Sequence, residues 1–457
     1  MTTRSVQNPT KWCPSGTRTH LSWLLDAPES SQKALLAASL GWMLDSFDVM
    51  LYSLVLASLI VDLHLSKQIA GTLGSITLIA AAIGGLAFGL IADRFGRTRA
   101  LMASVLLYAV FTAACGLAHT VAQLAVFRIL LGFGMGGEWA SGASLIAESF
   151  PDEHRAKALG LMQSSWAIGY ALAALTVALV MPHFGWRGVF FVGILPALLT
   201  LWIRRNLKEP EAWQHRHAPR SGPKPHEVVA ARDKGALAVV PNFFSLFRGK
   251  LLPLTIALTL MNACCLFAWW GFNLWVPAYL SLPAAKGGIG LPSHSMTAIV
   301  VFMQFGMFVG YLTFGVFADR FGRKRTYIAY LLSAAALMLA FGATRSPVIL
   351  FFLAPFVAFA ATGYFTGFAA VTAEIYETRI RSTAQGFTYN TGRIASAAAP
   401  FAVGSLADKH GFSAAFPLAA FAFLLAAILW FWIPETLRAK LPPLREGSLA
   451  DSTPHLP

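Results

Sequence analysis

Apolar residues gather along this chain in stretches of about twenty positions, each closed by a short polar segment, from about Ala34 to about Trp432. Roughly twenty apolar residues at 1.5 Å per residue span a hydrocarbon core of about 30 Å. Twelve such stretches are readable, near residues 34–61, 70–92, 100–119, 121–147, 158–181, 187–203, 252–281, 296–318, 326–343, 347–373, 383–406 and 413–433. The pattern predicts an all-α polytopic membrane protein whose direct surroundings are the lipid bilayer.

Composition agrees: 56% of residues are hydrophobic and 12% charged, against about 25% charged in soluble domains. A net charge of +14 would raise nucleic acid as a partner for a soluble chain, but here its distribution excludes that. With both termini on one side, 28 of the 35 Lys and Arg residues fall in the tails and loops of that side. Only Lys67, Arg187, Lys286, Arg345 and Lys409 fall on the other. The positive-inside rule therefore predicts cytoplasmic termini in a cell (inner) membrane. Residues 1–33 lack a compact apolar core with a small-residue cleavage site and read as a cytoplasmic tail. The four cysteines (Cys13, Cys115, Cys264, Cys265) have no metal-binding or disulfide-framework spacing. No metal or cofactor is expected.

The polar connections carry an internal repeat. "GLIADRFGRTRA" starting at Gly89 returns as "GVFADRFGRKRT" starting at Gly315, 226 residues later. The same interval separates Asp93 from Asp319, Arg94 from Arg320, Gly96 from Gly322, Arg97 from Arg323, Glu148 from Glu374, Arg155 from Arg381 and Gly160 from Gly386. A register held by rare charged residues argues for duplication of a six-helix unit. The expected organisation is a tail (1–33), a six-helix half (34–203), a polar cytoplasmic linker (204–250), a second six-helix half (251–434) and a C-terminal tail (435–457).

The paired G-x-x-x-D-R-x-G-R segments after the second and eighth spans resemble the loop motif of the major facilitator superfamily, with Thr98 at the last basic position of the first copy. The resemblance covers essentially the whole chain and implies two pseudo-symmetric halves rocking about a central site. It also implies a latch between states, built from Gly89, Asp93, Arg94, Gly96 and Arg97, from Gly315, Asp319, Arg320, Gly322 and Arg323, and from the companion pairs Glu148 with Arg155 and Glu374 with Arg381.

Five ionisable residues fall within spans: Asp45, Asp48, Arg128, Glu138 and Arg393. Each costs about 2.5–3.5 kcal/mol at the bilayer centre on insertion scales, so each needs a function or a partner. Asp45 and Asp48, at i and i+3, share one face of the first span, and their mutual repulsion favours a proton on at least one. With Glu138 they are the proton-coupling candidates. The histidines nearest the spans, His64, His119, His183, His294 and His410, fall in outer loops or at span ends. Arg128 and Arg393, from opposite halves, can clamp an anion or neutralise the acids. Gln163, Trp166 and Tyr170 on the fifth span, Trp270 and Asn273 on the seventh, and Asn390 beside Arg393 can line a site for a small organic acid or simply pack helices. The glycines Gly132 and Gly136 that follow Arg128 suit close helix packing.

"DSFD" with an Arg in the fourth span and another in the eleventh is similar to organic-anion:proton symporters, including the aromatic-acid branch. "GMGGEW", "AES" and "RAKALGLMQSSWAIGYALA" look more like the sialate and monocarboxylate branch. The resemblance implies a symporter, acting as a monomer, that imports a small organic anion with a proton as the coupling ion. The export-type G-x-x-x-G-P motif is absent from the fifth span. A proton-driven exporter of amphipathic compounds and a transport-dead membrane sensor remain alternatives, and no enzymatic constellation stands out.

Overall fold

The computed structural model describes residues 22–206, 244–249, 251–377 and 380–437. The expected linker and C-terminal tail lie largely outside them. The described chain is helical: α1 (Glu29–Asp62), α2 (Lys67–Phe95), α3 (Arg97–Cys115), α4 (Val121–Ser149), α5 (Asp152–Val192) and α6 (Ala197–Asn206) form the first half. The second contains α7 (Leu251–Asn273), α8 (Val276–Ser281), α9 (Ser293–Phe321), α10 (Arg323–Ala343), α11 (Pro347–Thr362), α12 (Phe365–Ile375), α13 (Arg381–Ser396), α14 (Ala398–His410) and α15 (Phe412–Leu429). Ten described stretches are long and apolar enough to cross a membrane. One of them, Lys157–Thr200, holds both the fifth and sixth crossings, joined through Pro182 and broken at Gly185, whose φ is 63°. The eleventh crossing, α13 with α14, is too polar for that count because it carries Asn390 and the buried Thr388, Arg393 and Ser396. Crossings seven, ten and eleven, each expected as one helix, are interrupted near Leu274, Gly363 and Ala397.

The duplication is visible in backbone geometry. Gly96 and Gly322 end the D-R-x-G loops with φ/ψ of 111°/152° and 103°/149°. His64 and Gly290, and Gly185 and Gly411, share positive φ at the same 226-residue interval. Glycine relieves the strain of that region, and only His64 among the described non-glycine residues adopts it. A Cβ on Gly84 would strike the Phe133 carbonyl, and one on Gly310 would strike the Phe359 carbonyl 226 residues on. Both halves therefore close the contact of their second and fourth crossings on one glycine, the small-residue packing that membrane helices use. Gly132 and Gly136 serve the same contact, against the carbonyls of Thr77 and Ala81.

Hydrogen bonds seal the halves together from the middle of the bundle to the end opposite the D-R-x-G-R loops. Asp408 at the end of α14 accepts from the backbone N–H groups of Lys67 (3.0 Å) and Gln68 (2.8 Å), and Lys67 Nζ donates to the Ala407 carbonyl at 3.0 Å. Ser53 donates to the Leu274 carbonyl (2.7 Å), Thr297 to that of Ala174 (3.3 Å), and the Phe401 N–H to Ser75 (3.2 Å).

Candidate functional site

In the second half the D-R-x-G-R loop holds a network of charged contacts. Arg323 pairs with Asp319 at 2.6 Å and with Glu374 at 3.2 Å. Glu374 also accepts from Thr436 at 2.5 Å. Glu435 accepts from the Arg323 and Lys324 backbone at 2.8 and 3.2 Å, filling donors that a helix start leaves open. Arg381 reaches the Tyr376 carbonyl at 3.4 Å, as Arg155 reaches that of Phe150 at 3.5 Å. Arg94 and Arg320 each lie over the following phenylalanine ring at 5.4 Å. The side chains of Asp93 and Glu148 lie outside the described ones. Gly89, Gly160, Gly315 and Gly386 face open space.

Deep in the first half, Asp45, Asp48 and Glu138 are wholly buried; the Thr112 hydroxyl lies near Asp48, but none of the six carboxyl oxygens has a partner in hydrogen-bond geometry. They come from α1 and α4, and Tyr108 of α3 reaches the same stretch of α1, donating to the Gly41 carbonyl at 3.4 Å. Glu138 reaches α1 because residue 41 is glycine: a Cβ there would lie 2.5 Å from Glu138 Oε1. None of the three acids forms an ion pair with Arg128. Arg128 instead donates from Nε to Thr77 at 2.9 Å and stacks on the Tyr52 ring, 3.8 Å from its centroid, while Nη1 is buried without a partner. The Gly132 contact of α2 with α4 brings Thr77 to it.

From the second half, Arg393 is buried and faces Asp45 across the interface, with no carboxylate within ion-pair distance. Arg128 and Arg393 thus address different neighbours. Asn390 turns its amide onto its own helix, donating to the Gly386 carbonyl at 2.9 Å, so it contributes less than its spacing suggested. Asn273 is buried with its amide on Met50 sulfur (3.5 Å) and a free carbonyl oxygen. Gln163 meets Tyr311, and Tyr170 lies near Ser53 with its hydroxyl unbonded. Trp166 packs against Trp42 with the rings tilted by 48° (4.7 Å) and meets Trp270 edge-on (6.2 Å) across the interface.

Sequence reasoning missed Tyr52, Thr77, Tyr108 and Trp42. The glycines beside Arg128 signal a close helix neighbour but not its identity. No His, Cys, Asp and Glu cluster among the described residues could hold a metal ion.

Residues 38–283 and 280–454 each match the Major Facilitator Superfamily model. The chain is 31% identical over 428 residues to a probable 4-methylmuconolactone transporter of Cupriavidus pinatubonensis, covering 91% of this chain and 93% of the relative. It is 31% identical to the cis,cis-muconate transport protein of Acinetobacter baylyi (87% and 92% covered) and 27% identical to the sialic acid transporter NanX of Escherichia coli (90% and 97%). A crystal structure of the D-xylose-proton symporter superposes with a TM-score of 0.68 at 21% identity, covering 88% of this chain and 98% of that one.

Proposed function

Because the chain belongs to the Major Facilitator Superfamily, a family of membrane transporters, we propose that it is a proton-coupled symporter importing a small organic anion, such as an aromatic acid, a monocarboxylate or a sugar acid. One observation carries this reading: the interior of the first half holds three buried carboxyl groups outside any hydrogen bond together with a buried arginine, Arg128, whose Nη1 is also unbonded. A membrane interior tolerates such groups where a travelling ion or solute completes them. The anion's carboxylate meets Arg128 and Arg393, and a proton on Asp45 or Asp48 removes the competing negative charge. Proton binding then favours anion binding, and the reverse holds equally. Trp166, Trp270 and Asn273 line the remainder of the site.

The seal on the Lys67–Asp408 side supports an inward-facing state, since the charge distribution puts the D-R-x-G-R loops in the cytoplasm. Alternating access then opens that seal as the loop latch closes. We place the protein in the cell inner membrane as a monomer with cytoplasmic termini, without a cofactor. The test is uptake of labelled cis,cis-muconate, benzoate, lactate and sialic acid into vesicles with and without an imposed pH gradient. Accumulation of one of them that rises with the inward gradient is expected; accumulation indifferent to the gradient overturns the coupling.

A further inference from the structure

The proposed proton path leaves one group unused: the hydroxyl of Tyr108. It is completely buried in α3, yet it makes only a long hydrogen bond, 3.4 Å, to the Gly41 carbonyl. Gly41 is also the residue whose missing side chain admits Glu138 Oε1, so the hydroxyl and the Glu138 carboxyl approach the same residue of α1, one at its carbonyl and the other at its α-carbon. Asp45 stands one turn further along α1, on the same face, and Asp48 follows it. Gly134 allows α3 this close to α4, since a Cβ there would lie 2.8 Å from the Tyr108 backbone nitrogen. The charged and titratable groups surrounding this point are Asp45 and Asp48 from α1 and Glu138 from α4. Beyond them lie Arg393 facing Asp45 from α13, Arg128 on α4, and Cys115 of α3 near Asp48.

A phenol that comes within hydrogen-bond reach of two carboxyl groups as the halves move can pass a proton without itself becoming an ion: it accepts on oxygen while its own proton leaves to the next acceptor. We infer that Tyr108 relays the coupling proton between Glu138 and the Asp45–Asp48 pair, with Gly41 holding both ends of the relay in register. A proton leaves Glu138 for the Tyr108 oxygen as the Tyr108 proton moves to Asp45, so one carboxylic acid and one carboxylate exchange places and the tyrosine is unchanged. The step rests on the proton-coupled reading above and assigns that reading a route.

The test uses the full-length protein in liposomes, with whichever of labelled cis,cis-muconate, benzoate, lactate and sialic acid the parent accumulates. Gradient-driven accumulation is measured beside exchange of labelled for unlabelled acid at equal pH, which needs no net proton movement. Tyr108→Phe removes the hydroxyl and nothing else; Gly41→Ala pushes Glu138 away and leaves the hydroxyl. Both are expected to slow gradient-driven accumulation at least about tenfold, the low side of what a positioned proton donor contributes, while exchange stays within about twofold. Accumulation within about twofold of the parent in Tyr108→Phe overturns the relay. So does equal loss of accumulation and exchange in a variant whose melting temperature matches the parent, which marks a packing or substrate role. If Tyr108→Phe does not fold, Gly41→Ala decides by the same two outcomes. A parent whose accumulation ignores the pH gradient defeats the symport reading instead, a result separable from failure of the relay alone.

Discussion

The two halves share a scaffold and differ in chemistry. At the 226-residue interval the loop glycines Gly96 and Gly322, the packing glycines Gly84 and Gly310, and the carbonyl-seeking Arg155 and Arg381 repeat in conformation and contact. At the same interval Asp45 becomes Gly271, Asp48 becomes Leu274, Arg128 becomes Ala354 and Glu138 becomes Tyr364. Conversely, Arg393 corresponds to Ala167 and Tyr108 to Ala334. Duplication preserved what two packed helical units need in order to rock. The ionisable groups, each expensive in lipid, are held in one copy only, with the acids in the first half and a single cation offered from the second.

The comparison can be broken most sharply at Arg128. Arg128→Ala is expected to remove about 2–5 kcal/mol of binding to a buried anion, about 30-fold to several thousand-fold in affinity, read as loss of saturable uptake. Arg128→Lys should recover only part, because an ammonium cannot hold both Thr77 and a bidentate carboxylate. Retained uptake in Arg128→Ala would show that the first half's chemistry is dispensable.

A smaller effect, on energetics and not on binding, is expected from Asp45→Asn and Asp48→Asn. Uptake by the parent should rise as external pH falls, since the proton enters with the anion and its supply grows. In the two variants that dependence should flatten while exchange survives. An unchanged pH profile would place coupling elsewhere, with Glu138 first to be examined.

The shared scaffold predicts matched stability effects. Gly84→Ala and Gly310→Ala each force a Cβ into a carbonyl of the facing helix and should destabilise by about 1–3 kcal/mol, as overpacking does. Gly89→Ala and Gly315→Ala meet nothing within 4 Å, and their melting temperatures in detergent should equal or exceed the parent's. A large asymmetry within either pair would contradict structural equivalence of the halves. The smallest effect is expected at the seal between halves: Lys67→Met removes a partly exposed pair with Asp408 at 3.9 Å, worth about 0–1 kcal/mol. It should increase the labelling of a cysteine placed at Ser58 by no more than about fivefold.

The sequence made the scaffold legible because its features are local. Span length, loop charge and the 226-residue register need no knowledge of which helix faces which. The site was legible only in part, for a reason specific to membranes: lipid and protein interior are equally apolar, so hydrophobic periodicity does not mark the buried face. Asp45, Asp48, Arg128, Glu138 and Arg393 stood out because charge is rare there. Tyr52 and Tyr108 did not, since an aromatic residue in a span is equally at home in packing, an interface or a site. Asn390 shows the opposite error, where correct helical spacing said nothing about a side chain that bonds its own backbone. The breaks near Leu274, Gly363 and Ala397 escaped because the apolar runs continue through them.

The most direct measurement is proton movement itself. Proteoliposomes loaded with a pH-sensitive dye, at equal internal and external pH, receive the acid that the parent accumulates. Acid-dependent acidification of the lumen is predicted for the parent and its absence for Asp45→Asn and Asp48→Asn. Entry of the labelled acid into parent vesicles with no accompanying acidification would contradict the account.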